Sequence, residues 1–389
     1  MQDLILEVER LIWKGRALAR EKSGRVVLLQ PGVFPGERVR ARVVKEKRDH
    51  LQAEWQEIIR PSSQRRPHPC SRSDLCGGCR FGALPQREQL RLKREMLLSE
   101  VRRSLGSKWA DYAPQEVFTH PSPAGWRYRW RGQVEVRQGS PHLKALGSRE
   151  LVPSPDCLLF SRVLSEGVKR LSHGLQPGRW TMAASPWDGA VRVEGSSNWL
   201  RLPLKEYGLL LRVPAGSFFQ ANWSLNRDLV GFVQSRLAEW ERVADFFAGA
   251  GNFALPLAAK GARVVALESD PQAALGARIA AEKANLDNLR IQCRDLRRKD
   301  PLRLMSGFRP QALLLDPPRT GAGKRLANLA RMDSLQRLIW ISCDVVNTSR
   351  DLLPFLEAGW RIRETALFDM FPQTWHLEAV FVLDREYRE

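Results

Sequence analysis

The chain has 389 residues, 43% of them hydrophobic, which is a globular composition with room for two or three domains. Its formal charge of +19 indicates a polyanionic partner, with nucleic acid favoured over an anionic membrane surface. No apolar run approaches the roughly 20 residues of a spanning helix, and the charged N-terminal segment does not resemble a signal peptide. We therefore expect a cytoplasmic protein without membrane contact, whose six cysteines are thiols or metal ligands.

The first sixty residues alternate short apolar segments with Gly and Pro turns, which predicts a small antiparallel, OB-like β-barrel over residues 1–60. Along Arg38–Val44 basic residues alternate with apolar ones, so a half-buried strand would point its arginines outward. Such a row suits a phosphate backbone, and an ordinary solvated face fits the same pattern. In Gly15–Arg16–Ala17 and Phe34–Pro35–Gly36–Glu37 the segment resembles the TRAM domain, a small RNA-binding barrel, which favours RNA binding.

Four cysteines form a candidate metal centre. Cys70, Cys76 and Cys79 are separated by five and two residues, and two glycines let the backbone turn tightly between the last two. Cys157 is the natural fourth ligand. Four thiolates hold either structural zinc or an iron–sulfur cluster, and three clustered ligands with one distant ligand modestly favour [4Fe–4S].

The segments that follow the three clustered cysteines predict one helix and several short strands. Apolar residues near helical spacing predict a basic amphipathic helix over residues 84–106 that packs on a neighbouring domain, the catalytic one. Trp126–Arg131 alternates aromatic residues with arginines, which predicts a strand with an aromatic face toward a core and a basic face toward water or phosphates. Short strands continue to about Val213, so residues 61–213 are predicted to be a central β-rich domain that carries the metal centre.

Residues 214–389 alternate strands and helices, which predicts a Rossmann-like α/β domain. The strand Val243–Phe247 leads into a turn with Gly249 and Gly251, where a ligand can approach the backbone. Three later strands end in acidic residues: Glu268, Asp295 and Asp316. The glycine turn suits NAD equally well. The lack of a second nucleotide-binding half and the Asp–Pro–Pro sequence at the fourth strand end favour S-adenosylmethionine instead.

The apolar run Leu338–Ser342 predicts a buried strand, and Cys343 follows it directly. For an arbitrary cysteine, a small core residue is the favoured interpretation. Because α/β sheets carry their chemistry at the carboxyl ends of their strands, Cys343 is also placed to act as a nucleophile.

Five motifs resemble those of the RNA uracil-C5 methyltransferases, notably the iron–sulfur 23S ribosomal RNA (uracil-5-)-methyltransferases, and the resemblance covers nearly the whole chain. The motifs are Phe218–Asn222, Asp245–Phe253, Asp316–Gly321, Ser342–Cys343 and Asp369–Glu378. Their combination is far more specific than any one of them.

The resemblance implies that Cys343 is the nucleophile and Glu378 the base in methyl transfer from S-adenosylmethionine to uracil C5 in RNA. It places six residues around the methyl donor and the target base: Gln220, Phe247, Asn252, Glu268, Asp295 and Asp316. It also implies a [4Fe–4S] cluster on Cys70, Cys76, Cys79 and Cys157.

The chain departs from the family pattern after the catalytic cysteine, where Asp344–Val345 replaces the usual Asn–Pro. The family also often has cysteine at Ala248 and asparagine at Trp130. The carboxylate of Asp344 is expected to raise the pKa of the neighbouring thiol. Since every residue with a chemical role is retained, we expect an altered substrate loop rather than lost activity.

The resemblance favours 23S ribosomal RNA as the substrate, with the T-loop of transfer RNA second, and implies a monomer without an obligate protein partner. Two other functions fit parts of the sequence. An amino-group methyltransferase shares the Asp–Pro–Pro element but needs no nucleophilic cysteine. A catalytically inactive RNA-binding or ribosome-assembly factor fits the basic barrel and Asp344–Val345.

Overall fold

The computed structural model describes residues 3–107, 112 and 114–386. The outermost residues of the predicted first and last domains, 1–2 and 387–389, lie outside this range. The described chain contains a closed barrel, a five-stranded sheet, a two-stranded hairpin and an eight-stranded sheet. No described helix is long and apolar enough to cross a membrane.

The N-terminal segment folds as a closed barrel with the strand order β1-β2-β3-β5-β4, which confirms the predicted small barrel. The barrel is not wholly antiparallel as predicted, because β3 and β5 pair in parallel. Its strands are β1 (Asp3–Ile12), β2 (Arg16–Arg20), β3 (Val26–Leu29), β4 (Arg38–Glu46) and β5 (His50–Arg60). Along β4 buried and exposed residues alternate, so its arginines do point outward. They have acidic neighbours, however: Arg40 lies 3.4 Å from Glu57 and Arg42 lies 3.3 Å from Asp3. Much of the outward charge is therefore balanced within the barrel.

A long helix, α1 (Gln86–Leu105), connects the barrel to the largest sheet, and a short strand, β6 (Phe118–His120), follows it. Leu92 and Met96 of α1 belong to the barrel core. Leu97 and Val101, one turn further on, belong to a core cluster of the eight-stranded sheet. The helix α1 therefore contributes side chains both to the barrel core and to a core cluster of the eight-stranded sheet.

The central sheet has the order β11-β10-β7-β8-β9, and α2 (Arg162–Ser172) packs on it. Its strands are β7 (Arg131–Arg137), β8 (Ser140–Lys144), β9 (Leu151–Pro153), β10 (Gly178–Ala184) and β11 (Val191–Val193). The prediction of a strand over Trp126–Arg131 is wrong for its first five residues, because Arg127 adopts a φ of 59° that extended backbone excludes. Arg129 instead forms isolated bridges with Phe160 of the central part and with Asn222, and the second bridge joins this segment to the catalytic part of the chain.

The remaining chain builds the eight-stranded sheet with the order β16-β15-β14-β17-β18-β20-β19-β6. Its further strands are β14 (Arg242–Phe246), β15 (Arg263–Glu268), β16 (Leu289–Cys293), β17 (Ala312–Leu315), β18 (Arg337–Ser342), β19 (Trp360–Phe368) and β20 (Glu378–Arg385). Strands β14 to β18 are mutually parallel, whereas β20 runs antiparallel between β18 and β19. This is the predicted Rossmann-like α/β fold.

Helices cover both faces of this sheet. They are α3 (Trp223–Leu237), α4 (Ala254–Ala259), α5 (Pro271–Lys283), α6 (Pro301–Met305) and α7 (Val345–Glu357). One core cluster joins the sheet to α3, α4 and the hairpin β12 (Leu200–Leu204)–β13 (Leu209–Val213), and the other joins it to α1 and α7. The hairpin therefore packs with the α/β sheet although it precedes the predicted border at residue 213, and the domain borders themselves remain predictions.

Candidate active site

The pairing of two strands brings Cys343 and Glu378 together. β18 ends at Ser342, β20 begins at Glu378, and the two run antiparallel with Ser342 opposite Ala379. In such a pair, the residue that follows Ser342 lies beside the residue that precedes Ala379. Glu378 is 3% exposed and Cys343 is partly buried. The register thus sets a thiol beside a buried carboxyl at the carboxyl end of the parallel strands.

The surroundings of Cys343 keep its thiol protonated in the free protein. Burial, followed by the nearby carboxyls of Glu378 and Asp316, raises the pKa of Cys343 to about 12. Arg319 opposes this rise in the thiol pKa through its charge and a side-chain hydrogen bond. Arg319 is therefore the cation that stabilises a thiolate at this position.

Asp344 has a different role from the one expected. Its carboxylate accepts a hydrogen bond from the backbone N–H of Asn347 at 3.2 Å and so caps the first turn of α7. The carboxyls that most raise the pKa of Cys343 are Glu378 and Asp316, so the expectation named the wrong carboxylate. The replacement of Asn–Pro by Asp344–Val345 leaves a well-capped helix behind the nucleophile.

A second carboxyl, Asp316, follows β17 and lies close to Glu378. Burial raises the pKa of Asp316 to about 7, and a hydrogen bond from Gln220, whose Nε2 lies 3.5 Å from Oδ2, partly offsets the rise. Burial, followed by the charge of Asp316, also raises the pKa of Glu378 well above its usual range. Ionisation of either carboxyl opposes ionisation of the other, so the pair exchanges protons nearer neutral pH than isolated carboxyls do.

We expect replacement of Arg319 by glutamine to slow alkylation of Cys343 by iodoacetamide roughly tenfold at any pH below the thiol pKa, because a charge-assisted contact that favours the thiolate is lost. The replacement raises the pKa of the thiol, so the alkylation profile should move to higher pH. Arg319→Lys, which keeps a charge, should fall between the wild type and the glutamine variant. An unchanged profile in Arg319→Gln would show that the arginine does not act on the thiol.

The glycine turn between β14 and α4 faces the acidic end of β15. Gly249 and Gly251 have φ values of 55° and 86°, where glycine is favoured, and Phe247 shares this left-handed backbone at 64°. The carboxylate of Glu268 accepts hydrogen bonds from the N–H groups of Gly249 at 2.8 Å and Asp270 at 2.6 Å. Two of the predicted cofactor residues, Phe247 and Glu268, therefore meet at this turn.

The other predicted cofactor residues differ in whether their polar side-chain atoms already have hydrogen-bond or ion-pair partners within the protein. Asn252 exchanges two amide hydrogen bonds with Asn226 of α3, at 2.8 and 2.9 Å. Asp295 follows β16 and forms ion pairs with two arginines that come after it, at 3.6 and 3.4 Å. In contrast, Oε1 of Gln220 is buried without a hydrogen-bond partner. A buried acceptor of this kind is a group that a ligand would satisfy.

Two residues of the site were not singled out from the sequence. Asp245 in β14 is fully buried, and burial followed by the charge of Asp316 raises its pKa well above the usual range, while a backbone hydrogen bond from Ala254 opposes the rise. Its only signal was the first place in the Asp245–Phe253 motif. Arg319 was visible only as the residue after Asp–Pro–Pro, and its contact with the thiol depends on how the chain folds beyond β17.

The four predicted metal ligands are neighbours. Cys76, Cys79 and Cys157 line a cavity of about 740 Å³. Burial, followed by the charges of Cys157, Cys76 and Cys70, raises the pKa of the Cys79 thiol. Within residues 3–107, 112 and 114–386, however, no three His, Cys, Asp or Glu side chains are arranged to hold a metal ion. The donors fit zinc or an iron–sulfur cluster in type and in proximity, but they are not in a coordinating arrangement.

The same cavity extends from the cysteines to the active site, where Arg319 and Phe218 line it. Arg129 and Arg131 line it as well, and the Nε of each is buried without a hydrogen-bond partner. Arg131 lies 5.2 Å from the ring centre of Phe218, and burial followed by the charge of Arg129 lowers the pKa of Arg131 to about 10. Three arginines, Arg129, Arg131 and Arg319, thus line the same cavity as the cysteines.

Known proteins are similar to this chain over almost its full length. The family model described as tRNA (Uracil-5-)-methyltransferase matches residues 197–386. A 23S rRNA (uracil(1939)-C(5))-methyltransferase RlmD of Shewanella amazonensis is 31% identical, and the match covers 98% of this chain and 96% of that protein. The chain belongs to the RNA uracil-C5 methyltransferase family. It is therefore an S-adenosylmethionine-dependent RNA (uracil-5-)-methyltransferase.

Another relative of this methyltransferase is the protein of the same name from Pseudomonas fluorescens, with 30% identity over 97% of this chain and 91% of the relative. Among solved structures, the Pyrococcus abyssi tRNA (uracil-54, C5)-methyltransferase in complex with S-adenosyl-L-homocysteine superposes with a TM-score of 0.74. The match covers 97% of this chain and 99% of that one at 23% identity. This structural similarity establishes a shared fold along the chain.

In this methyltransferase the loop that leads into Glu378 is held by α1, which lies outside the sheet. Lys93 of α1 donates a hydrogen bond to Asp369 at 2.6 Å, and both side chains are fully buried. One turn earlier, Gln89 donates to the side chain of Gln373 and accepts from its backbone N–H, both at 2.7 Å. The helix therefore positions the base through its loop.

We expect Lys93→Met to lower the free energy of unfolding by roughly 3–5 kcal/mol, because it leaves the Asp369 carboxylate buried without its cation. One oxygen of Asp369 already lacks a hydrogen-bond partner, so no other group compensates. Urea unfolding measures the change, and hydrogen exchange in residues 369–377 localises it. The double variant Lys93→Met with Asp369→Leu should regain most of the stability, and a double variant as unstable as the single one would contradict this account.

Proposed function

We propose that this methyltransferase modifies a uridine of 23S ribosomal RNA, acting as a monomer in the cytoplasm. The adjacency of the Cys343 thiol and the Glu378 carboxyl at the paired ends of β18 and β20 carries the proposed chemistry. The similarity to the Shewanella and Pseudomonas 23S rRNA enzymes, at 31% and 30% identity over nearly the full chain, supports the substrate.

Cys343 is the proposed nucleophile. Uracil C5 is too weak a nucleophile to accept a methyl group unaided, and addition of the thiolate to C6 breaks the C5–C6 double bond and places negative charge on C5 and O4. Because the pKa of the thiol is raised in the free protein, its proton must leave as the substrate binds. Arg319 stabilises the resulting thiolate, and the carboxylate of Asp316, whose pKa is raised to about 7, is the proposed acceptor of the thiol proton, which leaves Glu378 ionised for the later step.

Glu378 is the proposed base that removes the proton from C5 once the methyl group is in place. The electron pair of the C5–H bond then re-forms the C5–C6 double bond, and the thiolate leaves C6 as the RNA is released. Burial suits this role, because a carboxylate with a raised pKa is a stronger base than an exposed one. The target base must leave its stack to reach this buried pair.

S-adenosylmethionine, when bound, supplies an electrophilic methyl group. The residues proposed to hold it and the target base are Gln220, Phe247, Asn252, Glu268, Asp295 and Asp316. The unpartnered Oε1 of Gln220 and the contact of Glu268 with the glycine turn support this assignment. We add Asp245 to the set, because its fully buried carboxyl beside Asp316 would be stabilised by a cationic sulfonium donor.

We also propose that Cys70, Cys76, Cys79 and Cys157 hold a [4Fe–4S] cluster, which would join the segment before α1 to the central sheet. The cavity that Cys76, Cys79 and Cys157 line, and the effect of the charge of Cys70 on the pKa of Cys79, support this proposal. Anaerobically purified protein should absorb visible light and contain iron, and Cys157→Ser should lose both properties. Colourless protein that contains zinc would show that the four cysteines form a structural zinc site instead. Protein that contains neither iron nor zinc would show that they form no metal centre.

The substrate proposal is tested with the purified protein, labelled S-adenosylmethionine, and transcripts of 23S ribosomal RNA and transfer RNA. We expect 5-methyluridine in the 23S transcript, at one position located by mass spectrometry of RNase fragments. Methylation of the T-loop alone would move the substrate to transfer RNA. Tight RNA binding without methyl transfer to either RNA would support an assembly factor instead.

A further inference from the structure

A strongly basic segment lies beside the active site, and of its basic residues only Arg319 has a role in the chemistry above. Residues 294–331 contain ten basic and only three acidic residues, so more than a third of the net charge of +19 comes from this segment. The segment begins where β16 ends and includes the connection that follows β17. Both connections emerge at the carboxyl ends of the parallel strands, the edge that carries Cys343 and Asp316.

Five exposed side chains make up the part of this segment that we call the basic edge: Arg297, Arg298, Lys299, Lys324 and Arg325. They form one surface although they come from two connections. Nη1 of Arg325 donates to the backbone oxygen of Arg298 at 2.6 Å, and a Cβ placed on Gly323 would lie 4.0 Å from Cγ of Arg297. The basic edge is thus continuous across the gap between the two connections.

Most of the charge on the basic edge is unbalanced. Arg297 and Arg298 share one carboxylate, that of Asp295. Lys299, Lys324 and Arg325 form no ion pair with any residue in the described part of the chain. Like charges held together at a surface destabilise the fold slightly, so an anionic partner would relieve them.

The barrel, the predicted RNA-binding element, is also net positive, but much of its positive charge is in ion pairs. Its residues 3–60 include 13 basic and nine acidic residues. Five of its outward arginines are in ion pairs: Arg20 with Glu9, Arg25 with Glu46, Arg40 with Glu57, Arg42 with Asp3, and Arg60 with Glu7. A phosphate must compete with these carboxylates in the barrel, whereas on the basic edge it meets charge that is largely unused.

We propose that the basic edge binds the phosphate backbone of the substrate RNA next to the target uridine, as a second contact surface separate from the barrel. The inference rests on the RNA substrate of the family. Arg319, at the nucleophile, and Lys324 belong to the same connection and are five residues apart, which is at most about 18 Å along the chain. A strand whose base enters the active site therefore passes within reach of the basic edge.

The test compares two triple variants with the same change of charge. The first removes the unbalanced charges of the basic edge: Lys299→Gln, Lys324→Gln and Arg325→Gln. The matched control removes three exposed charges from the opposite, amino edge of the same sheet: Arg263→Gln, Lys283→Gln and Arg290→Gln. The control reports what a general loss of positive charge does to RNA binding.

Binding of a 23S ribosomal RNA transcript is measured from low to high salt. We expect the basic-edge variant to bind roughly tenfold more weakly at low salt, and its plot of log affinity against log salt to be less steep by about 2, since each lost phosphate contact contributes about 0.7. The control should keep the slope of the wild type. Equal slopes in the two variants would overturn the proposal.

Unchanged binding of S-adenosylhomocysteine by both variants shows that they are folded. Methylation of the transcript by the wild type reports separately on the proposed 23S substrate. If the wild type binds this RNA without methylating it, the proposal that 23S ribosomal RNA is the substrate is wrong. The salt dependence of binding would still decide whether the basic edge contacts RNA.

Discussion

Replacement of Cys343 by alanine is expected to abolish methyl transfer, lowering kcat by roughly 10⁴-fold or more, the size of effect seen when a covalent nucleophile is removed. Without the thiolate no negative charge develops on C5, so C5 cannot accept the methyl group and no C5 proton is removed. The measurement is transfer of a labelled methyl group to RNA, together with the covalent complex that the wild type forms with RNA containing 5-fluorouridine. That complex should be absent in Cys343→Ala, while affinity for RNA stays unchanged.

A matched control is available in the same sheet. Cys293 is also a partly buried free thiol at a strand end, but its sulfur lies 3.8 Å from the backbone oxygen of Ser269 rather than beside a carboxyl. Cys293→Ala should retain activity and the covalent complex. Full activity in Cys343→Ala would favour the amino-group methyltransferase alternative, which needs the Asp–Pro–Pro element but no nucleophile.

Replacement of Glu378 by glutamine is expected to stop the reaction after the methyl group has been transferred. The amide cannot accept the C5 proton, so the thiolate cannot leave, and a methylated RNA joined to Cys343 should accumulate even on ordinary uridine. Turnover should fall by about 10²–10⁴-fold, the usual contribution of a positioned base. Denaturing gels show the joined species, and mass spectrometry shows whether it carries the methyl group.

The pH dependence of single-turnover proton removal adds a second test of Glu378. The base works only when ionised, and burial followed by the charge of Asp316 raises its pKa, so the rate should rise with pH through that raised value. Glu364→Gln, in β19 and paired with Arg236 through contacts of 2.7 and 3.0 Å, should keep the wild-type profile. Rapid release of product by Glu378→Gln would show that another group removes the proton.

The α/β strands were predictable because buried parallel strands require continuous apolar residues. β14, predicted over Val243–Phe247, spans Arg242–Phe246, and β18, predicted over Leu338–Ser342, spans Arg337–Ser342. Trp126–Trp130 was not predictable in this way, because its aromatic alternation mimics a strand. Its conformation depends on contacts with distant segments, such as the hydrogen bond from Arg127 N–H to the Leu158 oxygen at 2.8 Å.

For the site, motifs placed the reacting residues but not the residues that hold them. The bond between Lys93 and Asp369 joins positions 276 residues apart, and no spacing rule reaches that far. The outward arginines of the barrel show a further limit. Their direction followed from strand alternation, whereas their acidic partners lie on neighbouring strands whose register the sequence does not specify.

The antiparallel insertion of β20 also has a consequence for how the protein is made. β18 and β19 leave the ribosome before β20, yet within the described sheet β19 pairs only with β20 and the short β6. A nascent chain that has reached Phe368 therefore holds the nucleophile at an unpaired strand edge, without the residue that completes its reaction. Only when β20 has been synthesised through Arg385 can it pair along that edge, and this pairing places the base beside the nucleophile, so the active site is completed late in synthesis.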